Sequence, residues 1–193
     1  YTQTDSSFGI IAVHGYYPPA WPTKGFEWVA PMKDLARLKH PVWWFRHNWF
    51  NCPESSIAYL RSQIETLIHN NPHLDSLWII GHSLGGLVVS NFAELWDNEF
   101  PVAVHAIAAP LKGISGQLQE CKSKGKNLYL INESVRYIQW RTDYKEDGAF
   151  KHLEQDPQDV IIKNGKYVLL PKTWNESRLG HTLSIQWVVD QLH

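Results

Sequence analysis

Gly81-His82-Ser83-Leu84-Gly85 is the segment of this chain whose residue types and spacing most directly suggest chemistry. It follows the apolar, β-prone run Leu77-Trp78-Ile79-Ile80 and opens a helical pattern, so the serine stands on a strand-to-helix turn. A turn this sharp strains its central residue and crowds the positions two before and two after it, which glycine at 81 and 85 permits. The Ser83 hydroxyl is then presented at the top of a sheet. The N-terminus of the following helix points at the same place and favours developing negative charge there. An ordinary serine in a glycine-rich turn has the same five letters; the strand before it and the helix after it separate the two.

A serine hydroxyl needs an imidazole to take its proton at neutral pH. Among ten histidines, His82 adjoins Ser83 but should point away along the turn, and His14 lies in an early loop where it supports structure. His181 follows Arg178-Leu179-Gly180 and precedes the last helical pattern, which makes it the candidate base; the alternative is a surface histidine capping that helix.

Through Gly81-His82-Ser83-Leu84-Gly85-Gly86, Val13-His14-Gly15 and Gly180-His181, the chain from Phe8 onward resembles the lipase and esterase branch of the α/β-hydrolase superfamily. The resemblance implies the chain order Ser, acid, His, which His181 obeys. It also implies that two backbone N–H groups, those of Leu84 and Tyr16, hold the oxyanion, donors that need little reorganisation as charge develops. The acid should follow the run Arg136–Trp140, and two residues qualify. Asp143 comes three positions after the run, as in many members of the superfamily. Asp147 opens Asp147-Gly148-Ala149-Phe150, similar to the family's Asp-x-x-apolar pattern, and is preferred because a strand continued through Asp143 lets the turn 144–146 deliver it to the sheet edge.

The elements needed to position these groups are legible as alternating strands and helices. Strands are predicted at Phe8–Val13, Val42–Phe45, Leu77–Ile80, Val102–Ala109 and Arg136–Trp140. Helices are predicted at Phe26–Leu38, Ser55–Ile68, Leu84–Trp96 and Thr182–Leu192. Asn164-Gly165 between Val160–Ile162 and Tyr167–Leu170 predicts a hairpin, and Lys112–Lys126 reads as irregular. The alternation predicts one α/β domain over residues 1–193, a mostly parallel sheet with helices on both faces, in a minimal form without a large cap. Of ten tryptophans, Trp21, Trp43, Trp44, Trp49 and Trp174 lie near loops or strand ends where they could line a pocket, although core packing is the commoner fate. Trp78 and Trp187 are assigned to the core, and Trp96 has no functional claim.

Bulk properties narrow the partners. A net charge of −1 gives no electrostatic reason for nucleic acid, and no apolar run approaches the about 18 residues that span a bilayer. The first residues lack a basic start and an apolar signal core, and the missing initiator Met suggests a trimmed product; a soluble protein is expected, with the cytoplasm preferred. Spacing cannot decide whether Cys52 and Cys121 pair, and free thiols are the preferred expectation. Neither Cys-x-x-Cys nor His-Glu-x-x-His occurs, so no metal and no cofactor is expected. Asn132-Glu133-Ser134 and Asn175-Glu176-Ser177 are glycosylation acceptors only in a eukaryotic secretory setting. The implied activity is cleavage of a small-molecule or lipid acyl ester through an acyl-enzyme. Thioesterase or amidase action on the same residues, or a silent fold used for binding, are the alternatives.

Overall fold

The computed structural model describes residues 7–17, 24–113 and 120–192. β1 (Phe8–Val13) turns Ile10 and Ala12 to one side and Ile11 and Val13 to the other, all buried, as a strand covered on both faces must. A 3₁₀ turn at Phe26–Trp28 leads into α1 (Val29–Arg37), then β2 (Val42–Phe45), α2 (Pro53–Asn70), β3 (Ser76–His82), α3 (Leu84–Leu95) and β4 (Val102–Ile107). β5 (Leu128–Leu130), β6 (Val135–Arg141), β7 (Ile161–Lys163), β8 (Lys166–Leu169), β9 (Thr173–Trp174), β10 (Ser177–Arg178) and α4 (Leu183–Asp190) follow.

Six strands form one sheet in the order β2-β1-β3-β4-β6-β8, with every neighbouring pair parallel. Ile57, Leu60 and Ile64 of α2 pack with Leu87 and Val88 of α3 over one face, and Leu35 of α1 with Ile185 and Val188 of α4 over the other. Each such side chain contributes about 2 kcal/mol on burial, so the two apolar layers, more than local propensity, hold the helices in place. Strand order reverses beside β1, and the chains leaving the C-terminal ends of β1 and β3 part there. A crevice at that edge is where open parallel sheets place their ligand sites.

Most predicted elements are present, with ends shifted by a few residues. The hairpin is not. β7 pairs in parallel with β5, and β8 in parallel with β6, so the Asn164-Gly165 turn passes the chain from one sheet to another. Asn164 does adopt the left-handed conformation its type favours, at φ 59°, but its side chain donates to Ile131 O (3.1 Å) and the turn thereby docks on the β5 end. Turn chemistry specified the bend; available strand partners specified where it led. The β9–β10 hairpin, turned by Asn175 and Glu176 at φ 49° and 62°, was not predicted, because no glycine marks it.

The expectation of free thiols is also corrected: Cys52 and Cys121 form a disulfide across 69 positions. It joins the start of α2 to the segment before β5, where Glu54 accepts the N–H groups of Lys122 (3.0 Å) and Ser123 (3.3 Å). Closing a loop of that span stabilises the fold by about 4 kcal/mol in the chain-entropy account. The long Lys112–Lys126 segment is thus stapled rather than free at the end nearer β5. Trp21 lies outside the described residues. Trp43, Trp44, Trp49 and Trp174, like Trp78 and Trp187, are partly buried and pack against the two cores, whereas Trp96 is fully buried.

Candidate active site

Ser83 sits between the end of β3 and the start of α3 with φ 55° and ψ −122°, a conformation costly for a residue with a Cβ. Its N–H is held by Ile107 O at 2.9 Å, which ties the strained residue to β4. The glycines around it have a steric reason. A Cβ on Gly85 would lie 2.4 Å from both Val13 O and His14 O, and one on Gly15 would lie 2.8 Å from Ser83 Cβ. The end of β1, the serine turn and the first turn of α3 are therefore in mutual backbone contact. Gly85→Ala should lower stability by about 3 kcal/mol or more, because two main-chain carbonyls must move; urea unfolding measures this, and a loss under 1 kcal/mol would contradict it.

The imidazole of His181 lies in the loop before α4, 15% exposed, with Nδ1 3.1 Å from Asp147 Oδ2. Phe150 meets its ring edge to face at 4.9 Å, so the residue that closes the Asp-x-x-apolar pattern steadies the histidine. His82 approaches His181 from the other side: its Nε2–H donates to His181 O at 2.9 Å, and the two rings stand 4.6 Å apart. That contact brings the loop carrying His181 to the serine turn. His82 indeed spends its side chain there, not on Ser83.

Asp147 is fully buried, yet its carboxyl is held below the ordinary carboxylate range. Burial by itself would raise it; hydrogen bonding and charge at His181, the Thr142 hydroxyl (2.6 Å) and the Ala149 N–H (2.8 Å) outweigh that effect. Asp143 lies elsewhere. It pairs with Lys172 Nζ (3.1 Å) and accepts the Lys145 N–H, within the turn that precedes Asp147. The structure thus brings Asp147 and not Asp143 to His181.

Leu84 begins α3, so its N–H belongs to a helix first turn, whose donors have no partner within the helix. Tyr16 follows Gly15, the residue packed on Ser83, and is 44% exposed. His14 is buried, with its pKa lowered to about 4 chiefly by burial, and sits against His47. His47 and Thr142 were not singled out in the sequence. Nothing local marks His47, whose partner lies 33 positions away; Thr142 was legible only as the last β-branched residue before the acid's turn.

No family model matches the chain, and no curated protein matches it. Solved structures do. One from work on LipS and LipT, two metagenome-derived lipolytic enzymes, aligns with a TM-score of 0.63 at 13% identity, over 97% of this chain and 92% of that one. Est1E from Butyrivibrio proteoclasticus aligns at 0.59 and 13%, over 98% and 86%. A serine hydrolase without a lid from Xanthomonas campestris aligns at 0.57 and 16%, over 98% and 82%. The fold is that of the α/β hydrolases. In this α/β-hydrolase fold Ser83 stands at the C-terminal end of β3, and Asp147 on the turn after β6.

Proposed function

We propose that the chain is a serine hydrolase that cleaves carboxylic esters through an acyl-enzyme. The carrying observation is the pairing of buried Asp147 with His181, whose backbone is held by His82, the neighbour of a serine at φ 55°. His181 Nδ1–H is turned to Asp147, which leaves Nε2 as the proton acceptor. Ser83 Oγ attacks the ester carbonyl as its proton passes to His181 Nε2, and the Leu84 and Tyr16 N–H groups stabilise the oxyanion. Collapse expels the alcohol, which takes the proton from His181; a water then repeats the sequence to release the acid.

Among the described residues the chain between β4 and β6 carries β5 and no helix, which supports an open site and a small ester over a long-chain lipid. No helix among them is long and apolar enough to cross a membrane. The Cys52–Cys121 disulfide supports an oxidising compartment over the cytoplasm.

A fluorophosphonate probe tests the proposal. The expected result is stoichiometric labelling of the folded chain that disappears in Ser83→Ala; a folded wild-type chain that resists the probe, and hydrolyses no p-nitrophenyl ester, would sink it. Parallel ester, thioester and amide panels then rank the leaving groups.

A further inference from the structure

We propose that His47 is a positioning residue for this reaction: it holds the His14-Gly15-Tyr16 backbone so that the Tyr16 N–H faces the developing oxyanion. The inference rests on the esterase reading, which supplies the role of that N–H. Its basis is a chain of hydrogen bonds that no local sequence feature announces.

His47 lies just beyond β2 and is buried against His14, the two rings stacked 4.5 Å apart. His47 Nε2–H donates to His14 O at 2.9 Å, and the His47 backbone N–H donates to His14 Nε2 at 3.3 Å. His14 Nδ1–H in turn donates to Gly15 O at 2.8 Å. The Ser56 hydroxyl of α2 donates to His47 Nδ1 at 3.1 Å. All four ring nitrogens are engaged, and one set of tautomers satisfies them: His14 protonated on Nδ1, His47 on Nε2. Both imidazoles are held below the usual histidine range, foremost by burial, so these neutral forms persist at neutral pH.

The consequence follows from the planar peptide. In a trans peptide the carbonyl and the next N–H point in opposite directions, so pinning Gly15 O also fixes the direction of the Tyr16 N–H. Pinning His14 O fixes the Gly15 N–H in the same way. A glycine at this position leaves the peptide free to turn over at little steric cost, and it cannot be replaced, because a Cβ there would strike Ser83. The loop must be glycine to approach the nucleophile and must therefore be held by something else. Imidazole donors from His14 and His47 do this.

The test compares His47→Phe, which keeps a stacked ring without a donor, with His47→Gln, whose amide N–H can reach His14 O. Turnover of a p-nitrophenyl ester should fall about 100-fold in kcat in His47→Phe, with KM changed less than about threefold, the signature of a lost oxyanion donor. His47→Gln should recover at least about tenfold of that loss. A folded His47→Phe within about threefold of wild-type kcat, or a loss carried wholly by KM, overturns the proposal. Should His47→Phe fail to fold, Ser56→Ala removes the donor that sets the His47 tautomer and should lower kcat about three- to tenfold; an unchanged kcat overturns the proposal there too. If the wild-type chain hydrolyses no ester, the esterase reading fails by itself, and a crystal structure of the same variant decides this one. A Gly15–Tyr16 peptide that has turned over supports the proposal, and one that keeps its orientation overturns it.

Discussion

Asp147→Asn lowers kcat/KM for a short-chain ester about 1,000- to 10,000-fold, while Asp143→Asn changes it by less than about threefold. The first effect is a matter of tautomer. An asparagine that turns its NH₂ toward His181 Nδ1 leaves the ring proton on Nε2, the nitrogen that must accept from Ser83. The Ala149 N–H, which donates to the other oxygen, Oδ1, favours that orientation, while the Thr142 hydroxyl, which shares Oδ2 with His181, can turn its proton to Gln158 Oε1 instead. Asp143 pairs with Lys172, whose side chain is 74% exposed, and accepts the Lys145 N–H, so its loss perturbs a solvated turn. Steady-state kinetics on both variants measures the contrast; equal and small effects would remove Asp147 from the mechanism.

Acid should unfold the chain in a window well above the carboxylate range. His82 has its pKa lowered to about 3, and His14 and His105 to about 4, all three foremost by burial. His47 is shifted in the same direction. An unfolded chain binds protons on these residues below about pH 6.5, whereas the folded chain resists them until far lower pH, so stability is complete above 6.5 and falls as pH drops toward 4. Each of the first three contributes roughly 3 kcal/mol to that loss by pH 4, together of the order of a whole domain's stability. Protonating His82 would also add charge beside His181, and a proton added to His105 would enter at Nδ1, which now accepts the Trp140 indole N–H at 3.1 Å. Urea midpoints measured from pH 7.5 down to 4.5 report this directly. A flat profile between 6.5 and 5 would mean that these imidazoles are solvated.

The same histidines show where local pattern stops being informative. The turn at Ser83 was legible because a strand, a cramped bend and a helix follow in direct succession, all within about a dozen residues. His181 was a candidate from its place before the last helix and its order in the chain, and the structure sets it beside Asp147. Between Asp143 and Asp147 the sequence offered a preference for Asp147 and no decision, since both follow the same strand and differ only in which way the intervening turn aims them. Hydrogen bonding by Thr142 and Ala149, together with packing of Phe150, aims Asp147 inward and leaves Asp143 to Lys172.

Other outcomes depended on partners distant in the chain. The Asn164-Gly165 bend was correctly placed, but β7 and β8 found parallel partners in β5 and β6, and a short strand pairs where an open edge is offered. The Cys52–Cys121 bond requires that α2 and the segment before β5 meet, which a separation of 69 positions does not disclose. By itself the sequence determined the parallel α/β layering and the strained serine turn, because hydrophobic period and glycine spacing act over a few residues. Only the tertiary structure decided the acid facing His181, the imidazole pair behind the Gly15 loop and the disulfide, because each is a contact between segments whose meeting depends on how the whole sheet is wound.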